Sequence, residues 1–175
     1  ARVVVAGDSA GGGLALATVL AARDAGLPLP VAVVTFSAWL DLTLSGASLT
    51  GKESVDPIFD AADIQGYAAT YLPDGADARN PLASPVLADL RGLPPLLLQV
   101  GSAEVLLDDS TLLAARAAEA DVEVTLEVYP GSAHVFQHHH ATEATAARAM
   151  DTAADFLARR LAPTAPPHRS RSARV

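Results

Sequence analysis

A serine between two glycines is the first pattern in this chain that could carry chemistry. Residues 7–11 read Gly-Asp-Ser-Ala-Gly, with a strand-like run before them and a helical run after them. The G-x-S-x-G pattern in that context is typical of a serine nucleophile held on a sharp turn from a strand to a helix. We therefore predict that Ser9 attacks an acyl carbonyl. The alternative is an ordinary turn in which Ser9 only caps the helix.

A serine hydroxyl is a poor nucleophile without a general base, so the prediction requires a histidine later in the chain. His134 follows the Pro130-Gly131 pair, in a loop just beyond the last predicted strand. Open α/β sheets keep their sites at the carboxyl ends of the strands. We predict His134 as the base, and the alternative is an exposed loop histidine.

The base needs a carboxylate to orient it, and three candidates follow the apolar run at 96–102: Glu104, Asp108 and Asp109. Glu104 lies in the loop directly beyond the strand. The two aspartates lie where the next helix starts, where acids commonly serve as N-cap and first-turn residues. We predict Glu104 as the acid, with Asp108 as the second choice.

The turn also predicts how a developing oxyanion is stabilised. The amide of Ala10, directly after the nucleophile, faces the oxyanion in this arrangement, and the positive end of the helix dipole adds to it. The three glycines at 11–13 lie inside the helix start and are expected to allow close helix packing. Asp8 is expected to help hold the turn.

The elements that must position these residues alternate along the chain. Strand-like runs cover residues 2–6, 31–36, 96–102 and 122–130, and helical stretches cover 10–25, 109–120 and a last segment ending near Leu161. Strands that are apolar on both faces and alternate with helices indicate an α/β fold with a mostly parallel sheet, covered by helices on both faces.

A loose segment at 39–95 interrupts this alternation with Asp, Gly, Pro and Ser clusters. It contains one helical piece, for which Asp60 is the predicted N-cap, and we interpret Asp41 and Asp56 as turn or cap residues. Such long excursions between strands usually serve function rather than scaffold. The proline-rich, basic residues 163–175 are expected to form a flexible tail.

Composition excludes several classes. The chain has 175 residues, half of them apolar, a formal charge of -8, one lysine and no cysteine. It can bury a core, but it lacks disulfides, thiolate metal sites and a basic groove for nucleic acid. No apolar run is long enough to span a bilayer and no signal peptide is evident, so we expect a cytoplasmic protein. The sequence leaves the oligomeric state open.

Four segments together are similar to the hormone-sensitive-lipase-like branch of the α/β-hydrolase fold, the bacterial family IV esterases. They are GDSAGG at 7–12, SAWLDLT at 37–43, the residues 80–110 and VTLEVYPGSAHVF at 124–136. The resemblance covers residue 1 to about residue 161. It implies Ser9 as nucleophile, Glu104 as acid and His134 as base. Ala38 stands where the family usually has proline.

The resemblance also implies parts that this sequence does not contain: an HGGG-type segment that completes the oxyanion hole, earlier strands and an N-terminal cap. We therefore expect the carboxyl-terminal part of a longer esterase, with its hydrolase domain at 1–162. Lid and loop residues line the acyl pocket in this family. Trp39 and Phe59 are predicted to bind substrate here, although core packing is equally compatible with them, as it is with Ile58, Tyr67 and Tyr71.

The predicted function is that of a serine carboxylesterase acting on small acyl esters, without a cofactor or metal. The three histidines at 138–140 are interpreted as a solvated helical turn, because adjacent helical residues point in different directions, although His138 is close enough in sequence to line the site. One alternative is a non-catalytic chain: a truncated hydrolase, a pseudoenzyme or a binding module. Another is an acyl hydrolase of amides or thioesters, since the same triad serves all acyl transfers.

Overall fold

Parallel strands form a sheet in the order β1-β2-β3-β4 in the computed structural model, which describes residues 2–73 and 76–162. The strands are β1 (Val4–Asp8), β2 (Ala32–Phe36), β3 (Leu96–Gly101) and β4 (Val124–Tyr129). All three pairings are parallel. The central strand β3 is buried along its whole length, because its apolar run supplies side chains to both faces. The predicted parallel sheet is confirmed.

Helices cover both faces of this sheet. These are α1 (Ser9–Asp24), α4 (Leu107–Glu119) and α5 (Ala144–Leu161), whereas α2 (Ser48–Gly51) and α3 (Ala61–Tyr71) lie in the segment between β2 and β3. One face packs against α1 and α4 through residues such as Leu16, Leu20 and Leu113. The other packs against α5 through Ala153 and Phe156. No helix in the described part of the chain is long and apolar enough to cross a membrane.

Side-chain capping explains the start of α3, and among the described helices it is seen only there. The Asp60 carboxylate accepts a hydrogen bond from the Asp63 amide at 2.9 Å, and the Asp63 carboxylate accepts one from the Asp60 amide at 3.2 Å. This reciprocal capping box starts α3 and confirms Asp60 as its N-cap. The start of α4 differs from expectation: Leu106 is its N-cap, so Asp108 and Asp109 both lie in the first turn.

The excursion at 39–95 contains α2, α3 and a short 3-10 turn, Pro85–Leu87. Its apolar side chains form a second cluster that includes Trp39 and Ile64 and packs against Val105 and Leu106, which follow β3. The excursion is thus anchored beside the loop that carries Glu104. The boundaries of the hydrolase domain stay a prediction, and the expected tail at 163–175 lies outside the described residues.

Candidate active site

The turn at Ser9 has the geometry that its glycines predict. β1 ends at Asp8 and α1 begins at Ser9, whose φ is +51°. A left-handed backbone at a residue other than glycine is strained, and such strain clusters at functional sites. Gly7 is required for close approach, because a Cβ there would lie 2.1 Å from the Gly11 carbonyl oxygen. The first glycine of the G-x-S-x-G pattern is therefore required by its contact with the backbone of the second.

The loop after β2 packs directly on the start of α1. The Trp39 amide donates to the Ser9 carbonyl at 2.9 Å. A Cβ at Gly12 would lie 2.5 Å from the Ala38 Cβ, and one at Gly13 would lie 2.4 Å from the Trp39 carbonyl oxygen. The prediction that these glycines allow close packing is confirmed for Gly12 and Gly13. It is wrong for Gly11, where an added Cβ would meet nothing within 4 Å.

The structure brings Ser9, Glu104 and His134 into one line of hydrogen bonds. His134 Nε2 lies 2.9 Å from Ser9 Oγ, and His134 Nδ1 lies 3.0 Å from Glu104 Oε2. Glu104 is completely buried and His134 is 9% exposed. A buried carboxylate paired with an imidazole that reaches a serine hydroxyl has the arrangement needed for nucleophilic catalysis.

The Glu104 carboxylate is held by several donors. β3 ends at Gly101, and the glutamate side chain turns back so that its Oε1 accepts from the Gly101 amide at 2.5 Å and from the Ser37 hydroxyl at 2.7 Å. Oε2 is the oxygen that faces His134. These bonds compensate for the burial of a carboxylate and fix its orientation.

The loop that carries His134 is bent by two left-handed residues, Gly131 at φ +72° and Val135 at φ +48°. It crosses β3 closely, because a Cβ at Gly101 would lie 2.1 Å from the Ser132 carbonyl oxygen. The Val135 amide donates to Ser37 Oγ at 3.0 Å. The position of the imidazole therefore depends on the loop after β2 as well as on β4.

The two residues predicted to line an acyl pocket lie in different places. Trp39 lines a cavity of about 230 Å³ beside Ala10, together with Leu14, Leu42 and other mostly apolar residues. Phe59 instead packs edge-on against the His134 ring, with centroids 5.1 Å apart.

Three further aromatic or apolar residues of the excursion lie near these two positions or in solvent. Tyr71 lines the same cavity as Trp39. Tyr67 packs edge-on against Phe59 with centroids 6.1 Å apart, and Ile58 is 49% exposed. Core packing is therefore wrong for Ile58, Tyr67 and Tyr71, which are 49%, 54% and 63% exposed, because the excursion buries other apolar side chains instead.

Ala10 is the second residue of α1 and is exposed. The first four amides of a helix have no hydrogen-bond partner within the helix. The Ala10 amide can therefore donate a hydrogen bond to a ligand oxygen.

The two aspartates in the first turn of α4 accept hydrogen bonds from other loops and not from His134. Asp108 Oδ2 accepts from the Ser48 amide at 2.8 Å. Asp109 Oδ2 accepts from the amides of Leu40 and Asp41 at 2.6 and 2.9 Å. Burial raises the pKa of Asp109 to about 8, although these two amides oppose the shift. The sequence did not predict that the side chains of Asp109 and Ser37 would hold loops around the site in place, because their hydrogen-bond partners lie more than sixty residues away.

Asp41 and Asp56, which were predicted as turn or cap residues, accept hydrogen bonds from loop residues. Asp41 accepts from the hydroxyls and amides of Thr43 and Ser45, as predicted for a turn residue. Burial alone would raise the pKa of Asp41, but these hydrogen bonds hold it below its usual value. Asp56 accepts from the Phe59 and Val105 amides and so ties the excursion to the residue after Glu104.

His138 is largely exposed and lies 4.0 Å from the carboxylate of Asp8. Both residues line a second cavity behind the Ser9 turn. Within residues 2–73 and 76–162, no three His, Cys, Asp or Glu side chains are grouped as a metal site.

Comparison with known proteins gives consistent matches. A family model described as the alpha/beta hydrolase fold matches residues 1–138. An acetyl-hydrolase from Streptomyces hygroscopicus is 49% identical, over 89% of this chain and 52% of the relative. An esterase from Acinetobacter venetianus is 37% identical, over 88% of this chain and 51% of the relative.

Solved structures agree with these relatives. An esterase from the bacterial hormone-sensitive lipase family has a TM-score of 0.88 and 42% identity, over 91% of this chain and 53% of the other. EstE5, crystallised and soaked with p-nitrophenyl butyrate, has a TM-score of 0.85 and 42% identity, over 90% of this chain and 52% of the other. The chain spans about half the length of the relatives it matches.

These matches define the class: the chain belongs to the α/β hydrolase fold family. Within that family, the predicted resemblance to the hormone-sensitive-lipase-like branch is confirmed.

Proposed function

We propose that the protein is a serine carboxylesterase that hydrolyses small acyl esters. The observation that carries the proposal is the line of two hydrogen bonds from Ser9 Oγ through His134 to Glu104, at 2.9 and 3.0 Å. The names of its relatives, an acetyl-hydrolase and an esterase, support the reaction class.

Each of the three residues has a separate role in the proposed mechanism. Ser9 Oγ bonds to the ester carbonyl carbon while His134 Nε2 takes the hydroxyl proton. The imidazolium then gives this proton to the leaving alcohol, and the ester C–O bond breaks to leave an acyl-enzyme. Water repeats the attack with His134 as its base, which releases the acid and restores Ser9. Glu104 orients the imidazole and stabilises its charged form.

The Ala10 amide is proposed as an oxyanion donor. It points from the first turn of α1, where the helix dipole also favours negative charge. Loss of one such donor typically lowers the rate about 10²- to 10³-fold.

The cavity lined by Trp39 is proposed to hold the apolar part of the substrate. It lies next to Ala10, and none of the described residues that line it is charged. An apolar cavity of about 230 Å³ suits a short, uncharged group better than a charged one.

The cytoplasmic location of the protein stays a prediction.

A fluorophosphonate probe tests the proposal, since it reacts with an activated serine whatever the natural substrate. We expect one adduct, mapped by mass spectrometry to Ser9. His134→Ala abolishes labelling, whereas His138→Ala, a matched change at an exposed histidine nearby, leaves it unchanged. A folded chain that is not labelled at Ser9 contradicts the proposal.

Substrate class needs a separate assay. Acetyl and butyryl esters are compared with the matched thioesters and anilides at equal acyl groups. Faster turnover of the esters supports the carboxylesterase, and preferential turnover of an anilide or thioester replaces the ester in the proposal.

A further inference from the structure

Ser37 is a buried serine directly after β2 that the proposed mechanism does not use. It is completely buried and its φ is +48°. Its amide donates to the Gln99 carbonyl at 2.7 Å, which anchors it to β3. A buried serine in a strained conformation needs a compensating interaction, and its hydroxyl supplies one.

That hydroxyl joins the acid to the loop of the base. Ser37 Oγ donates its one proton to Glu104 Oε1 at 2.7 Å and accepts from the Val135 amide at 3.0 Å. Val135 is the residue directly after His134 and is itself left-handed, with a φ of +48°. A single oxygen therefore contacts both the carboxylate and the backbone that carries the imidazole.

The consequence is a division between the two carboxylate oxygens. Oε1 is occupied by Ser37 and the Gly101 amide, and Oε2 is left for His134 Nδ1. Without the hydroxyl, the Val135 amide loses its side-chain acceptor and the carboxylate loses one of the two donors that orient it. Both changes act on the His134–Glu104 hydrogen bond.

We propose that Ser37 is a positioning residue that holds Glu104 and His134 in register for proton transfer with Ser9. This inference rests on the proposed function. Displacements of about 1 Å in a reacting arrangement can cost about 10²-fold in rate. Ser37 contacts no reacting atom, so its effect is expected in kcat and not in KM.

Two substitutions separate positioning from simple stability. Ser37→Ala removes the hydroxyl, and Ser37→Gly removes it while favouring the positive φ. Both are expected to lower kcat for an acetyl ester about 10- to 100-fold with KM unchanged. Ser37→Gly is expected to unfold at higher urea than Ser37→Ala. If Ser37 only stabilised the fold, Ser37→Gly, as the more stable variant, would instead retain more activity than Ser37→Ala.

Ser110→Ala is the matched control. Ser110 is also completely buried, but its hydroxyl has no hydrogen-bond partner among the described residues. Its removal is expected to leave kcat, KM and the proton spectrum as in the wild type.

The closing measurement is the proton NMR resonance of the His134 Nδ1–H bonded to Glu104, assigned by its loss in His134→Ala. We expect this downfield signal in the wild type and in Ser110→Ala, and its loss or upfield shift in both Ser37 variants. An unchanged signal and kcat in the Ser37 variants overturn the proposal, as does a wild type without the signal. Absence of Ser9 labelling in the wild type contradicts the proposed esterase function but not the positioning role of Ser37. The two failures can be told apart because the His134 resonance is measured without turnover.

Discussion

Glu104 and Asp109 lie five positions apart on the same loop and helix start, and both are buried carboxylates, yet their surroundings differ. Glu104 meets an imidazole, a hydroxyl and one amide. Asp109 meets the two amides of Leu40 and Asp41. Burial is thus common to an acid that pairs with an imidazole and an acid that anchors a loop, and only their partners distinguish the two.

The electrostatic environment of Asp109 follows from these partners. Burial is the main cause that raises its pKa to about 8, the amides of Leu40 and Asp41 oppose the rise, and the nearby carboxylates of Asp41 and Asp108 add to it. Among the described residues, no Lys, Arg or His side chain hydrogen-bonds to this carboxylate. Asp109 therefore tends to hold a proton near neutral pH, which suits an anchor and not the partner of an imidazolium.

The largest expected effect breaks the comparison at Glu104. Glu104→Gln removes the charge that stabilises the imidazolium in the proposed mechanism, and it presents an amide to His134 Nδ1. We expect kcat for an acetyl ester to fall roughly 10³- to 10⁴-fold, as measured by initial rates. Asp108→Asn serves as control, and a larger loss in that variant would transfer the role of the acid to Asp108.

The next effect concerns the anchor. Asp109→Ala leaves the amides of Leu40 and Asp41 buried without their acceptor, which is expected to lower the free energy of unfolding by about 1–3 kcal/mol. Urea denaturation at pH 6 measures it. Asp109→Asn keeps an oxygen for the two amides and should retain most of the stability. Equal midpoints for Asp109→Ala and wild type would show that these bonds do not stabilise the fold.

The pH dependence sharpens the same distinction. The pKa of Asp109 is about 8 in the folded chain against an ordinary value of 3.8, so between these values the folded state binds more protons than the unfolded state. Stability from this group therefore falls as pH rises, by at most about 1.4 kcal/mol per unit, and levels off above about pH 8. The difference between wild type and Asp109→Asn, from urea denaturation at several pH values, isolates this slope. A difference that grows in favour of the wild type with pH contradicts it.

The smallest effect is expected at Asp108. Its carboxylate accepts from the Ser48 amide, and Ser48 Oγ accepts in turn from the Asp108 amide at 3.0 Å. Asp108→Asn keeps an oxygen acceptor, so stability should fall by no more than about 1 kcal/mol and kcat should stay within about twofold. The same kinetic and urea assays measure both. A tenfold loss of kcat at unchanged stability would indicate a part in the reaction.

The parts of this molecule that sequence could predict are those with local causes. Apolar runs on both faces indicated β2 and β3, the turn pattern indicated the strained Ser9, and Asp60 was recognisable as a cap. Chain order and sheet geometry placed Glu104 and His134 at the same edge.

The rest depended on contacts between distant segments. The side chains of Ser37 and Asp109 bond to groups 67 to 98 positions away, and nothing near either residue in the sequence identifies its partner. Trp39 and Phe59 resembled each other as aromatic residues of the excursion. Only packing separated the one that lines the cavity from the one that touches His134.

The order of strands in the sheet has a consequence for biosynthesis. Ser9 follows the first strand and His134 the last, 125 positions later. At roughly 5 to 20 residues per second, the ribosome adds the base roughly 6 to 25 seconds after the serine. In the proposed mechanism Ser9 is an ordinary alcohol during that interval, because the group that removes its proton has not been made. Under the proposed mechanism, a nascent chain therefore cannot attack esters before β4 has joined the sheet.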